Sequence, residues 1–311
     1  MNGRFLICYT FLACYLVSAS SAHAARYALV IGVNECPQFR FADSTQPRPL
    51  RGAESDAQAM AKLLQDQFAV SADRLHLLLG PKATRKSFRE IMDQLARHLT
   101  SEDLLVFYFA GHGTQVRDQQ PLDEADRLDE ALCLADATAA ARDLILDDEI
   151  GEWIERLRTS KITVIFDCCH AGSGTKDALD DLAARHLTIV LEPPLAKEAE
   201  QSSWADLQPV TKSLEPKVVI ALFACQSQQQ AYERRFADQV APARSGQFTR
   251  YLAKALQNSE ADTNADRLVS PEEAHAWISR ELDRSFNEGR QKQEEKQQPA
   301  WEGPAKVPSL F

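Results

Sequence analysis

The sequence predicts an α/β sandwich built around a largely parallel sheet. Apolar runs of strand length recur along the chain, and stretches with helical spacing separate them. Two of these runs end abruptly in glycine-flanked polar residues, as strands do at the edge of an open sheet. The composition, 44% hydrophobic and 26% charged with 12 Gly and 14 Pro in 311 residues, excludes collagen-like, coiled-coil and broadly disordered classes. A chain of this length can bury a sizeable core in one α/β domain.

In chain order, the predicted strands are Tyr27 to Ile31, Leu75 to Leu79, Leu104 to Phe109, Ile162 to Phe166 and Val218 to Phe223. Between them, Ala53 to Phe68 places Ala57, Met60, Ala61 and Leu64 on one helical face. Thr84 is positioned to cap a helix running to His98, whose stripe is Phe88, Ile91, Met92 and Leu95. Asp147 is read as the cap of a further helix carrying Ile150, Trp153, Ile154 and Leu157 inward. Ser270-Pro271-Glu272-Glu273 is a capping box with proline at the first helical position. Residues 175–215, rich in charge, proline and serine, read as an insertion or linker, with Leu187 to Leu191 as a possible short strand. Residues 286–304 are dominated by Gln, Lys and Glu, so 286–311 is expected to be a polar tail after one catalytic-type domain over 25–285.

Residues 1–24 have the three-part pattern of a secretory signal peptide: Arg4, the apolar run Phe5 to Val17, then small residues ending in Ala22-His23-Ala24. The run is shorter than the ~20 residues of a membrane span. Phe11-Leu12-Ala13-Cys14 is a poor lipoprotein site, so an exported, periplasmic or secreted chain without a membrane anchor is expected. Loss of Arg4 takes the net charge from −10 to −11. Such a chain is repelled by phosphate backbones, which argues against nucleic-acid partners. Five cysteines remain: Cys36, Cys133, Cys168, Cys169 and Cys225. Their odd number and wide spacing are not those of a disulfide framework.

The chemistry concentrates at two strand ends. Leu104 to Phe109 runs into Ala110-Gly111-His112-Gly113, and Ile162 to Phe166 runs into Asp167-Cys168-Cys169-His170-Ala171-Gly172. With a helix between them, both strands can lie parallel and deliver an imidazole and a thiol to one sheet edge. That pair is the minimum for nucleophilic acyl transfer, since the thiolate is the reactive form. The adjacent glycines free backbone N–H groups to bind an oxyanion.

The pairing of YFAGHG with DCCHAG, 57 residues apart from His112 to Cys169, closely resembles the caspase/metacaspase family of cysteine peptidases, in particular its bacterial metacaspase-like members. ALVIGVN, LRGAESDA, LDEA, LDDE and ALFACQS extend the resemblance over most of residues 26–285. It implies a caspase-like three-layer sandwich, with His112 as catalytic histidine, Cys169 as nucleophile, and the Gly113 and Cys169 N–H groups as oxyanion hole. It also implies that Asp56 and Asp167 line an S1 pocket for a basic P1 side chain, which two carboxylates would favour. Cys168 is read as structural, and His170 is assigned no chemistry. Asp129, Asp147 and Asp148 match three calcium-ligating aspartates of calcium-dependent members. Lys176 stands where the fourth is expected, with Asp177 one residue later and Asp180 beyond it.

The chemistry itself requires no cofactor; calcium enters as an activator. Protein or peptide substrates are the implied partners. The segment 175–215 resembles the family's inter-subunit linker, which makes Lys176, Arg185, Lys197 and Lys212 candidate self-cleavage points. Zinc is disfavoured because no C-x₂₋₄-C pair exists, and Gly172-Ser173-Gly174 is not a nucleophile elbow. Asp56, Asp167, Asp147 and Asp148 also admit a capping role. A caspase-fold binding or scaffold protein without turnover is the second reading, and the intact His112 and Cys169 argue against it.

Overall fold

The computed structural model describes residues 24–41, 44–117, 128–168, 182–185, 217–226, 229–236, 242–257, 260–288, 296–304, 307 and 309–311. Its main sheet holds β1 (Arg26–Gly32), β2 (Leu75–Leu79), β3 (Leu104–Ala110), β7 (Lys161–Asp167), β9 (Val218–Phe223) and β12 (Ala300–Glu302). The spatial order is β12-β9-β7-β3-β1-β2, parallel throughout except for antiparallel β12 at one edge. Two small antiparallel sheets lie apart from it. One is formed by β4 (Gly113–Arg117), β5 (Leu128–Leu132) and β6 (Ile145–Leu146), the other by β8 (Leu182–Ala184), β10 (Tyr232–Arg235) and β11 (Arg244–Gly246).

The strands are apolar on both faces, as a sheet covered on both sides demands, and alternation divides their side chains between two cores. On one face Leu29, Ile31, Phe107, Phe109 and Phe166 pack with Phe88 and Met92 of α2 (Arg85–His98) and Trp153 of α3 (Asp147–Arg156). On the other, Ala28, Val30, Val106 and Tyr108 meet Met60 and Leu64 of α1 (Ala53–Phe68), Leu252 of α4 (Gln247–Gln257) and Trp277 of α5 (Pro271–Glu288). Full burial of each large apolar side chain contributes about 1.5–3 kcal/mol, so the three-layer arrangement follows from the strand pattern.

The caps are as the residue types require. The Thr84 hydroxyl accepts from the Ser87 N–H at 3.1 Å. Ser270 and Glu273 form a reciprocal box, with Glu273 N donating to Ser270 Oγ at 3.2 Å and Ser270 N to Glu273 Oε2 at 3.0 Å. At the front of the chain, Ala25 N donates to Asp103 Oδ1 at 2.8 Å, both residues being buried. Burial works against the Asp103 charge, but hydrogen bonds from Thr100 and Ala25 outweigh it and hold the carboxyl below its ordinary range.

Two expectations are corrected. Asp147 is not a cap: α3 starts with it, Leu146 precedes it without a side-chain cap, and Asp147, Asp148 and Glu149 fill the first turn, favoured by the helix dipole. The region from 286 is not simply a polar tail. Ala300–Glu302 extends the main sheet, and Gln297 is buried with its side chain donating to Ala224 O and accepting from Tyr232 N. Leu310 and Phe311 are buried, with the Phe311 ring 4.6 Å from that of Phe68. Polar composition concealed this because Gln297 is recruited for its two-way amide, while Trp301 and Phe311 carry the apolar contacts. The suggested strand at Leu187 to Leu191 lies outside the described residues.

Candidate active site

The β3–β7 register matches Ala110 to Asp167, so Gly111-His112 and Asp167-Cys168 leave the sheet at the same edge. At Gly111 a Cβ would stand 2.6 Å from Phe109 Cζ, so only glycine lets the chain turn down onto that ring. His112 is 3% exposed and its Nε2 lies 3.2 Å from Arg48 O. A carbonyl only accepts, so this contact places the proton on Nε2 and makes Nδ1 the nitrogen able to take one up. His112 O in turn accepts from Cys133 N at 3.0 Å, which ties the turn to the small sheet. Cys168 is buried in the core beside α3. Cys169 lies outside the described residues. Cys36, Cys133, Cys168 and Cys225 are free thiols, and burial, helped by Asp136, pushes Cys36 up to about 12.

Asp56 and Asp167 converge, and between them lies Arg185 of the same chain. All three are 0% exposed. Arg185 Nη2 pairs with Asp56 Oδ2, and Nη1 reaches Asp167 Oδ2 at 3.0 Å and Asp167 O at 3.2 Å. A third carboxylate, fully buried Glu233 on β10, approaches Nη2 at 3.7 Å. Each acid is itself braced. Asp56 accepts from Gly246 N at 2.8 Å and from the Ser245 hydroxyl, and Asp167 Oδ2 from Thr249 N and Oγ1 at 3.1 and 2.5 Å. Glu233 accepts from Arg51 N and Gly52 N, each at 2.8 Å. Tyr108 hydroxyl, 2.6 Å from Thr249 Oγ1, closes the floor. Gly246 forms one wall, where a Cβ would stand 2.2 Å from Asp167 Oδ2 and 2.8 Å from Arg185 Cζ.

The charges are unequal. Burial pushes Asp56 up to about 7; Arg185 pulls it down, Asp167 pushes it up again, and the Gly246 and Ser245 hydrogen bonds partly offset the rise. Burial also opposes the Arg185 charge, but Asp167, Asp56 and Glu233 together more than compensate and hold the guanidinium cationic.

The main chain of Arg185 is held as firmly as its side chain. Leu182–Ala184 pairs antiparallel with β10, Ala184 opposite Tyr232 and Leu182 opposite Arg234. Arg185 N then donates to Ala231 O at 2.9 Å, and Arg185 O accepts from Gly113 N at 3.1 Å. A carbonyl therefore rests on the N–H next to His112, while its own side chain fills the carboxylate pocket.

The acidic boxes lie elsewhere. Asp129 is buried on β5 and Asp147 is buried at the start of α3. The β5–β6 register pairs Ala131 with Leu146, and α3 begins at the next residue. Among the described residues no three His, Cys, Asp or Glu side chains converge to hold a metal ion, and Asp177 and Asp180 lie outside them.

Sequence reasoning missed Glu233, Gly246, Thr249 and the Arg48 carbonyl. Glu233 and Gly246 sit in short strands without an apolar signature, Thr249 is a polar residue beside the Phe248, Tyr251 and Leu252 stripe of α4, and a main-chain carbonyl leaves no mark on residue type.

The caspase-domain model of the peptidase C14 family matches residues 25–306. The chain belongs to that family. It is 34% identical over 132 residues to metacaspase-3 of Arabidopsis thaliana, covering 40% of this chain and 36% of that protein. It is 32% identical over 197 residues to metacaspase-1A of Aspergillus oryzae, covering 60% and 43%. The chain thus spans well under two thirds of the length of these curated relatives. The fold also matches the crystal structure of a Geobacter sulfurreducens protein at a TM-score of 0.55 and 19% identity, covering 89% of this chain and 92% of that one. The family is one of cysteine peptidases, and its α/β three-layer fold is the one described above.

Proposed function

We propose that this chain is an exported cysteine endopeptidase that cuts peptide bonds after arginine or lysine. The observation that carries the reading is the Arg185 contact set: a guanidinium among Asp56, Asp167 and Glu233 while its carbonyl accepts from Gly113 N. In this reading Asp56 and Asp167 form S1, with Glu233 as a third acidic wall, and Gly113 N–H is an oxyanion donor. His112, with its Nε2 proton directed at Arg48 O, uses Nδ1 as the base that takes the Cys169 proton and later returns it to the leaving amine. Water then resolves the acyl-enzyme on Cys169.

Calcium is proposed as an activator bound by Asp129, Asp147, Asp148 and Asp177: carboxylate oxygens suit it, and binding would draw together side chains that do not converge among the described residues. Bound there it would brace β5 against α3, and no step of the reaction passes through it.

The test uses residues 25–311, reduced, with and without calcium, on peptides ending in Arg, Lys or Asp before a fluorophore. Release after Arg and Lys, absent in Cys169→Ala and increased by calcium, is expected. Release after Asp would remove the S1 assignment, and no release from folded, reduced protein would favour the scaffold reading.

Export is supported by the A-x-A site at Ala22-His23-Ala24 and by the burial of Ala25 N against Asp103 Oδ1. Cleavage after Ala24 turns that N–H into an ammonium 2.8 Å from a carboxylate. N-terminal sequencing of protein recovered outside the cytoplasm is expected to begin at Ala25; a chain retaining Met1 would refute export.

A further inference from the structure

We propose that Thr249, backed by Tyr108, is a positioning residue that makes the S1 pocket prefer arginine to lysine. The inference deepens the peptidase reading and rests on it. The contacts of Arg185 show what the pocket offers a guanidinium: its two terminal nitrogens go to different acids. Nη1 lies 3.0 Å from Asp167 Oδ2 and 3.2 Å from Asp167 O. Nη2 faces Asp56 Oδ2 and, at 3.7 Å, Glu233 Oε2. A guanidinium spans both arms because it is a rigid planar fork, whereas a lysine ammonium is a single point charge. Whatever aims the Asp167 arm therefore matters more to arginine than to lysine.

Thr249 aims it. As the third residue of α4 it stands in the first turn, where backbone N–H groups have no acceptor within the helix. Its N–H and its hydroxyl both donate to Asp167 Oδ2, at 3.1 and 2.5 Å. That is the oxygen that meets Nη1. Asp167 Oδ1, although buried, has no hydrogen-bond partner among the described residues, so the rotation of the carboxylate is set from the Oδ2 side.

The Thr249 hydroxyl is directed in turn from behind, where Tyr108 Oη lies 2.6 Å from Thr249 Oγ1. The threonine proton is committed to the carboxylate, so Tyr108 is the donor at this contact. Burial, and then Asp56 and Asp167, hold the phenol well above its ordinary range and so keep the proton that this role needs. Tyr108 and Asp167 are 0% exposed and Thr249 2%, and a donor chain shut away from water keeps its direction. The Asp56 arm is braced separately, by Gly246 N and the Ser245 hydroxyl. A change at Thr249 thus falls on one arm of the fork.

The test is the ratio of kcat/KM for two fluorogenic peptides that differ only in arginine or lysine at P1, measured on the full chain without its leader. Anything that competes for the pocket enters both terms and cancels. Wild type is expected to favour arginine by at least ~10-fold. Thr249→Val removes the hydroxyl at nearly constant shape and should lower the ratio by ~10-fold, the scale of one hydrogen bond to a charged group. Tyr108→Phe should lower it by ~3-fold, as loss of a neutral hydrogen bond does, and Thr249→Ser should restore it to within ~2-fold of wild type. A contact that merely ties β3 to α4 would lower both rates together and leave the ratio fixed. An unchanged ratio in folded Thr249→Val, or in Tyr108→Phe if the valine variant does not fold, overturns the positioning role and leaves the basic S1 pocket standing. Wild type that cuts after arginine and lysine alike overturns it as well. Cleavage after Asp, or none by folded wild type, overturns the reading on which it rests.

Discussion

Arg185→Ala is expected to lower stability by about 3–5 kcal/mol at pH 8, the usual effect of removing one partner from a buried charge cluster. For a domain of this size that is a fall in Tm of roughly 10 °C. The loss should shrink on acidification. Asp56 faces Asp167 of β7, Ser245 and Gly246 of β11, Tyr108 of β3 and, across Arg185, Glu233 of β10. Its folded-state pKa already stands above the ordinary carboxylate value, so between about 4 and 7 the folded chain binds more protons than the unfolded one. Stability contributed through Asp56 therefore rises as pH falls through that window. Without Arg185 its main charge-favouring neighbour is gone, and the pH dependence steepens in the same direction. Melting curves of both proteins at pH 6 and pH 8 test this. Equal differences at the two pH values would show that the carboxylates do not share their burden in this way.

Gly246→Ala is expected to reduce kcat/KM for arginyl peptides by at least ~100-fold, the scale of a displacement near 1 Å at a reacting centre. The added methyl would meet Asp167 Oδ2 at 2.2 Å and the guanidinium carbon at 2.8 Å, so acid and cation cannot both keep their places. Because Gly246 N also donates to Asp56 Oδ2, any shift of the backbone to relieve the clash lengthens that bond. The effect should fall mainly on KM. A KM within threefold of wild type, in protein with an unchanged circular dichroism spectrum, would show that the pocket yields more readily than its packing implies.

Where a side chain reports its own surroundings, the sequence was a good guide. The apolar runs from Tyr27, Leu75, Leu104, Ile162 and Val218 became five parallel strands with boundaries within a residue, because burial on both faces of the inner strands leaves a continuous signal, and the half-buried edge strand β2 keeps an apolar run as well. The stripe of α1 and the caps of α2 and α5 were legible for the same local reason. The short strands β4, β5, β6, β10 and β11 were not, since LDEAL or YERR alternate too briefly and carry too much charge. Asp56 and Asp167 were picked out only through a family resemblance, and the structure brings them to one pocket 111 residues apart in sequence. Glu233 escaped notice because a glutamate between Tyr232 and Arg234 reads as solvent-facing. Its burial depends on Arg51 N and Gly52 N, a contact spanning 182 and 181 residues. Arg185 was visible as a basic residue in a polar stretch, but nothing local distinguishes it from Lys197 or Lys212. Its place is set by three carboxylates and three main-chain partners contributed from four separate parts of the chain.

The strand order has a consequence for a chain opened at Arg185. Residues before that point supply β1, β2, β3 and β7, and residues after it supply β9 and β12, zipped together along β7 and β9 from Lys161–Val218 to Phe166–Phe223. Thr163 Oγ1 of the first piece donates to Leu310 O of the second at 2.6 Å, and Phe68 lies against Phe311. Neither piece holds a complete core face without the other. A molecule severed near the middle of its covalent thread would therefore still diffuse, sediment and elute as one body, its nick apparent only under denaturation.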